Sequence, residues 1–178
     1  MGQDGVHHAE FSEFASGDRE AALQQLVDSY VALASDQDNW VCNLANAASL
    51  LWHAYRSLPL DVNWAGFYVA DGKNANTLIL GPFQGKVACQ IIKYGHGVCG
   101  TAASLQETQL VPDVNAFPGH IACDGETKSE IVIPIIGKNK KVVGVIDIDC
   151  LTYDGFSGVD VKYLEQLASK IAETCEFP

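Results

Sequence analysis

Apolar residues recur at helical spacing through the stretch DREAALQQLVDSYVALAS, where Ala22, Leu23, Leu26, Val27, Tyr30, Val31 and Ala34 fall on one side. That period predicts a helix, with Asp18 placed to cap its N-terminus. A second helix is expected over NWVCNLANAASLLWHAYRSL, stopped by Pro59. Cys42 and Trp52 lie inside that pattern and read as core-packing residues. A last amphipathic helix runs from about Ser157 to Cys175, with Val161, Leu164, Leu167, Ala168 and Ile171 on one face. Residues 1–17 read as a loose polar lead-in.

Between the second and the last helix the character changes. VNWAGFYVA is rich in strand formers and is followed by the turn signal DGKNAN. TLILGPF and KVACQIIKY read as further strands, GHGVCGTAASLQ as a glycine loop entering a short helix, and TQLVPD as a short strand. The segment FPGHIACDGETKSE is then a long loop, and SEIVIPIIGKNKKVVGVIDIDC is a hairpin turning at Gly-Lys-Asn-Lys. Consecutive strands are mostly joined by turns too short for parallel crossovers. The expected fold class is therefore α+β, an antiparallel sheet with helices packed on one face. The expected organisation is one domain over residues 18–178. A chain of this size buries about 70% of its unfolded surface.

Charge narrows the function classes. Lys and Arg total 11 against 22 acids, a net charge of -11. Such a chain repels phosphate backbones and anionic membranes, so neither nucleic acid nor membrane is an expected partner. No apolar run reaches the roughly 18 residues of a membrane span. The opening MGQDGVHHAE lacks a basic segment followed by an apolar one, so no secretory signal is expected and a cytoplasmic, reducing setting is. The six cysteines (Cys42, Cys89, Cys99, Cys123, Cys150 and Cys175) then point to thiol chemistry, metal binding or burial rather than a disulfide framework.

Cys150 and Cys175 read as filler. Cys89 sits in an expected strand between Val87 and Ile91. Cys99 falls where a glycine loop enters a helix, and a helix N-terminus lowers a thiol's pKa. Cys123 has His120 three residues before it and Lys128 five after, and either could stabilise a thiolate. Zinc on Cys89, Cys99, His120 and Cys123 is a rival, although only His120-x2-Cys123 approaches the close ligand pairs of structural zinc sites. In VVGVIDIDC the strand period puts Val143, Val145, Asp147 and Asp149 on one face and Ile146, Ile148 and Cys150 on the other. Glu130, opening the preceding strand, lies within reach of those acids. Two such charges about 5 Å apart repel by about 3 kcal/mol at an effective dielectric of about 20. The cluster either retains a proton or pairs with a cation.

The blocks NWVCNLANAASLLWHAY, VNWAGFYV, LGPFQGKVAC, GVCGTAA, VPDV, FPGHIACDGETKSEIVIPI and GVIDIDC, with the spacing Cys-x9-Cys-x23-Cys, together resemble the free methionine-R-sulfoxide reductases. These are GAF-domain enzymes that reduce the R epimer of free methionine sulfoxide. The resemblance implies a GAF-like sheet with the substrate pocket under loops on the face opposite the helices. It implies Cys123 as the attacking cysteine, with Cys99 the other contender, and Cys89 and Cys99 as resolving thiols. Trp64 would be an aromatic wall, and Glu130, Asp147 and Asp149 would hold the substrate and polarise its sulfoxide.

That chemistry runs through a cysteine sulfenic acid and an intramolecular disulfide. An external dithiol, thioredoxin or a related protein, would reduce the disulfide by exchange. The resemblance implies no bound cofactor, no metal, and a homodimer. Two other readings use the same residues: a non-catalytic redox or small-ligand sensor, and a zinc-binding structural module.

Overall fold

The computed structural model of the chain describes residues 7–15, 17–121 and 123–178. Two helices come first, α1 (Arg19–Leu33) and α2 (Trp40–Arg56). The Asp18 side chain accepts from the Ala21 N–H at 3.1 Å, so the expected N-cap is present. Strands β1 (Val62–Ala70), β2 (Thr77–Gly85) and β3 (Ile91–Lys93) follow, then α3 (Gly97–Leu105) and β4 (Gln109–Val111). The hairpin is β5 (Ser129–Ile136) and β6 (Val142–Cys150), and α4 (Gly158–Thr174) closes the fold.

The six strands form one antiparallel sheet in the order β3-β2-β1-β6-β5-β4. The strand period of two divides its side chains between two cores. Ala65, Phe67, Ile131, Ile133, Ile146 and Ile148 face α1, α2 and α4. Trp64, Tyr68, Val132 and Val145 face the other way, with Val98 and Ala102 of α3. The helices thus do not all lie on one side. Three cover one face, while α3 shares the opposite face with the loops.

The strand expected over KVACQIIKY is shorter than its apolar pattern. Only Ile91–Lys93 pairs regularly, and Cys89 lies in the loop after β2, not in a strand. Gly85 has a φ of +126° at the end of β2, which turns the chain away from the ladder. Val143 is a second departure. In β6, Gly144 opposes Ile135 and Val142 opposes Ile136, so Val143 is an extra residue. This bulge inverts the alternation: Val142 joins the pocket-side cluster and Val143 packs on the helix side, opposite to the face the simple period assigns.

Two further expectations change. Cys42 is exposed on α2 instead of buried, while Trp52 is half-buried beneath the Arg56 guanidinium. The lead-in is not loose throughout. His8–Ser12 forms a short 3-10 turn, and Phe11 and Phe14 pack against the helical core. Residues 1–6 and Ser16 of that lead-in lie outside the described residues.

One buried carboxylate ties the helical layer together. Asp160, 0% exposed in the first turn of α4, accepts from the Ser157 N–H at 2.7 Å and the Ser157 hydroxyl at 3.0 Å. It also pairs with Arg19 of α1 at 2.7 Å and accepts from the Tyr55 hydroxyl of α2 at 2.9 Å. Removing the carboxylate leaves Tyr55 without its acceptor and Arg19 with only the Gly155 carbonyl. Asp160→Ala is expected to cost about 3–5 kcal/mol, read as a lower urea midpoint with an unchanged m value. Tyr55→Phe, which loses one hydrogen bond, is expected to cost about 1 kcal/mol.

Candidate active site

Register across the sheet assembles the site. On the face away from the helical layer, Trp64 of β1 opposes Asp149 of β6, and Asp149 opposes Glu130 of β5. One step along β6, Asp147 stands between Gly66 and Val132. Three acids and an indole therefore share one patch. Above it lies a small cavity of about 40 Å³ lined by Trp64, Tyr68, Cys99, Glu130, Asp147 and Asp149, with His120, Ile121 and Cys123 in its roof.

The roof comes from two loops. The Trp64 indole N–H donates to the Lys86 carbonyl at 3.1 Å, which anchors the loop carrying Cys89. Lys86 pairs with Glu126 at 2.7 Å and with Asp124 at 3.5 Å on the second loop. Asn63 donates to Asp124 at 3.3 Å and to Thr127 at 3.1 Å. A disulfide joins Cys89 to Cys123 across 34 residues, with the Cα atoms 5.7 Å apart. Gly97, at a φ of +63°, lies under the Ile121 side chain, 3.4 Å from where a Cβ would project. A Cβ on Gly100 would run into the Lys93 carbonyl oxygen, so glycine lets α3 approach the β3 edge and carry Cys99 into the cavity.

The electrostatics differ from the expectation for Cys99. Its thiol is 4% exposed and is pushed well up by burial, then by the charges of Asp147 and Glu130. The helix N-terminus is outweighed, and Cys99 is not an activated thiolate here. Burial also raises all three acids, so they do not simply emerge into water. Glu130 is pushed well above the usual carboxylate range by burial and by Asp147 and Asp149. Asp149 is raised likewise by burial and by Asp147 and Asp124. Asp147 rises less, to about 6, because Cys99 and Glu130 act against the effect of burial. Three acids this close titrate as a set.

His120 and Lys128 were the two groups placed to stabilise a Cys123 thiolate. His120 Nε2 instead stands 3.8 Å from a Glu130 oxygen. Burial lowers the imidazole and raises the carboxyl, and both shifts work against a charged pair. The Lys128 ammonium is turned away, 5.3 Å from the centre of the Tyr153 ring. The rival zinc set of Cys89, Cys99, His120 and Cys123 is not assembled, because Cys89 and Cys123 are bonded to each other.

The structure brings Trp64, Cys99, Cys123, Glu130, Asp147 and Asp149 to one cavity, with Cys89 bonded to its rim. It adds Tyr68, 2% exposed, whose ring stacks on Trp64 at 5.8 Å between centres. Burial raises its hydroxyl, and so do Asp147, Cys99, Asp149 and Glu130. Tyr68 lies four residues along the strand from Trp64, on the same face, and that spacing was the available signal.

The GAF domain family matches residues 43–175. The chain is 63% identical over 174 residues, 97% of each protein, to the free methionine-R-sulfoxide reductase of Saccharomyces cerevisiae. A solved GAF-domain structure superposes with a TM-score of 0.96 at 62% identity, covering 99% of this chain and 100% of that one. The Neisseria meningitidis free methionine-R-sulfoxide reductase, solved with its substrate, superposes with a TM-score of 0.84 at 36% identity, covering 91% and 93%. A sheet that buries three acids beneath a cysteine bridge agrees with these likenesses, and the chain belongs to the free methionine-R-sulfoxide reductases of the GAF-domain family.

Proposed function

We propose that this chain reduces free L-methionine-R-sulfoxide, with Cys123 as nucleophile and Cys89 as resolving thiol, in a single domain over residues 18–178. The observation that carries this reading is the Cys89–Cys123 bridge lying over a cavity that contains Glu130, Asp147 and Asp149. Once the bridge is reduced, the Cys123 thiolate attacks the sulfoxide sulfur. A proton passes to the sulfoxide oxygen, the resulting hydroxyl shifts to the Cys123 sulfur as the bond between the two sulfurs breaks, methionine is released, and Cys123 becomes a sulfenic acid. The Cys89 thiol condenses with it, expelling water and closing the disulfide seen here. An external dithiol such as thioredoxin reopens it by exchange. Cys99, buried with a raised pKa, is a poorer nucleophile than an exposed thiol and has no part in the bridge.

The acids divide the work by protonation. Asp147, raised only to about 6, is anionic near pH 7 and suits the substrate's ammonium group. Glu130 and Asp149, both raised by burial and by neighbouring acids, suit donation of a proton to the sulfoxide oxygen. Trp64 and Tyr68 offer apolar faces to the methyl and methylene groups. A methionine inside a polypeptide has no ammonium group to pair with Asp147. The proposed partners are accordingly the free amino acid and a dithiol protein, with a homodimer as the proposed assembly. No helix among the described residues is long and apolar enough to cross a membrane, and we propose a cytoplasmic enzyme needing no bound cofactor.

Two outcomes test the reading. Cys123→Ser is expected to lower turnover at least about a thousandfold. Cys89→Ser is expected to release about one methionine per protein in a single turnover and then stall, which rapid quench and steady-state assays with free R-sulfoxide distinguish. Full turnover by Cys123→Ser would refute the assignment. The second outcome concerns pH. A raised pKa leaves Asp147 neutral below about 6, so KM for the free sulfoxide is expected to climb as pH falls through that value, up to about tenfold per pH unit. Asp147→Asn is expected to start from a higher KM and lack this dependence.

A further inference from the structure

The bridge leaves one thiol of the cavity free, and its neighbours form a donor set of their own. Cys99 Sγ, a Glu130 oxygen and an Asp147 oxygen all lie within 4.8 Å of one another, in three buried residues. Asp147 is 6% exposed, yet its Oδ1 has no hydrogen-bond partner. An unpartnered oxygen inside a protein is destabilising, so this one is poised for a positively charged occupant. His120 Nε2, 3.8 Å from Glu130, adds a nitrogen at the edge of the group.

The chemistry of the donors selects among cations. Calcium and magnesium require six or more oxygens, most of which would have to be water here. A soft sulfur beside two oxygens and an imidazole suits a thiophilic divalent ion that accepts four-coordination. Bonds of about 2.0–2.3 Å place neighbouring ligands of such an ion roughly 3.3–3.8 Å apart, so a slight contraction of the group suffices.

We propose that the substrate-free cavity captures one thiophilic divalent cation, Zn²⁺ or Cd²⁺, on Cys99, Asp147 and Glu130, with His120 or water completing the shell. No electron moves. Metal–sulfur and metal–oxygen bonds form, and the thiol and carboxyl protons pass to solvent. The ion takes the place of the substrate's ammonium group, so cation and free amino acid exclude each other, a clause that rests on the proposed function. The cation is an inhibitor in this account and has no part in the reaction.

The test uses the full chain in its disulfide form, titrated with Cd²⁺ and followed by thiolate-to-cadmium charge-transfer absorption in the ultraviolet. One equivalent is expected. The band should vanish in both Cys99→Ser and Cys99→Ala, persist in Cys42→Ser, and require at least about tenfold more cadmium in Asp147→Asn. A band surviving in both Cys99 variants overturns the proposal, as does unweakened binding by Asp147→Asn. Added methionine should raise the apparent Kd for cadmium. If it does not, the exclusion clause and the substrate reading of the cavity fail together, while the variants still decide the cation site.

Discussion

Strand β6 carries two incompatible demands at once, and the fold is the way it meets them. Ile146, Ile148 and Cys150 are fully buried against the helices, while Val145, Asp147 and Asp149 point to the opposite side. A strand separates these sets only through its two-residue alternation, so every functional acid is placed by the same pleat that buries the core. A slip of one residue would drive two carboxylates into the helical layer and two isoleucines into the cavity. The apolar anchoring of α1, α2 and α4 on one face therefore fixes the chemistry on the other. The bulge at Val143 sits outside this stretch, where alternation can invert without moving an acid.

The acid patch is a local conflict that the rest of the molecule sustains. Burial raises Glu130, Asp147 and Asp149 together, and repulsion from neighbouring acids adds to it at Glu130 and Asp149. A carboxyl whose folded pKa exceeds its unfolded value favours the folded state below the unfolded value, and that contribution fades as pH rises through the folded one. Near neutral pH the patch thus works against folding. The relief is a retained proton or an incoming positive charge, which is the property a binding site for an ammonium group needs.

The layout of elements was readable because each rests on a local rule. Asp18 caps α1, β1 matches the stretch VNWAGFYVA, and the hairpin spans the apolar runs flanking Gly-Lys-Asn-Lys. What escaped depends on neighbours distant in the chain. Cys99 looks activated beside a helix N-terminus until its burial, and then Asp147 and Glu130 brought from β6 and β5, reverse the sign. Lys128 is near Cys123 in sequence but its side chain reaches Tyr153. Cys42 lies among apolar residues but just outside the buried arc of α2, beside buried Asn43 and Leu44. The strand expected around Cys89 carries an adequate apolar pattern. Gly85 and the loop held by Trp64 and Lys86 override it.

That loop links redox state to access. The Cys89–Cys123 bond and the Lys86 ion pairs join the same two loops over the cavity, and the Asn63 hydrogen bonds tie the second loop to β1. Of these, the ion pairs are largely exposed and each contributes little. The covalent bond is the one strong tie, and it is the one that a dithiol removes. Reduction thus frees Cys123, the proposed nucleophile, and loosens the roof in a single step, whereas closing the disulfide re-forms both restraints. Because Cys123 is exposed and Cys89 half-buried, an incoming thiolate has the freer approach to the Cys123 sulfur. Attack there expels Cys89 as the leaving thiolate and leaves Cys123 in the mixed disulfide, so the exchange is complete only when the reductant's second thiol displaces the nucleophile.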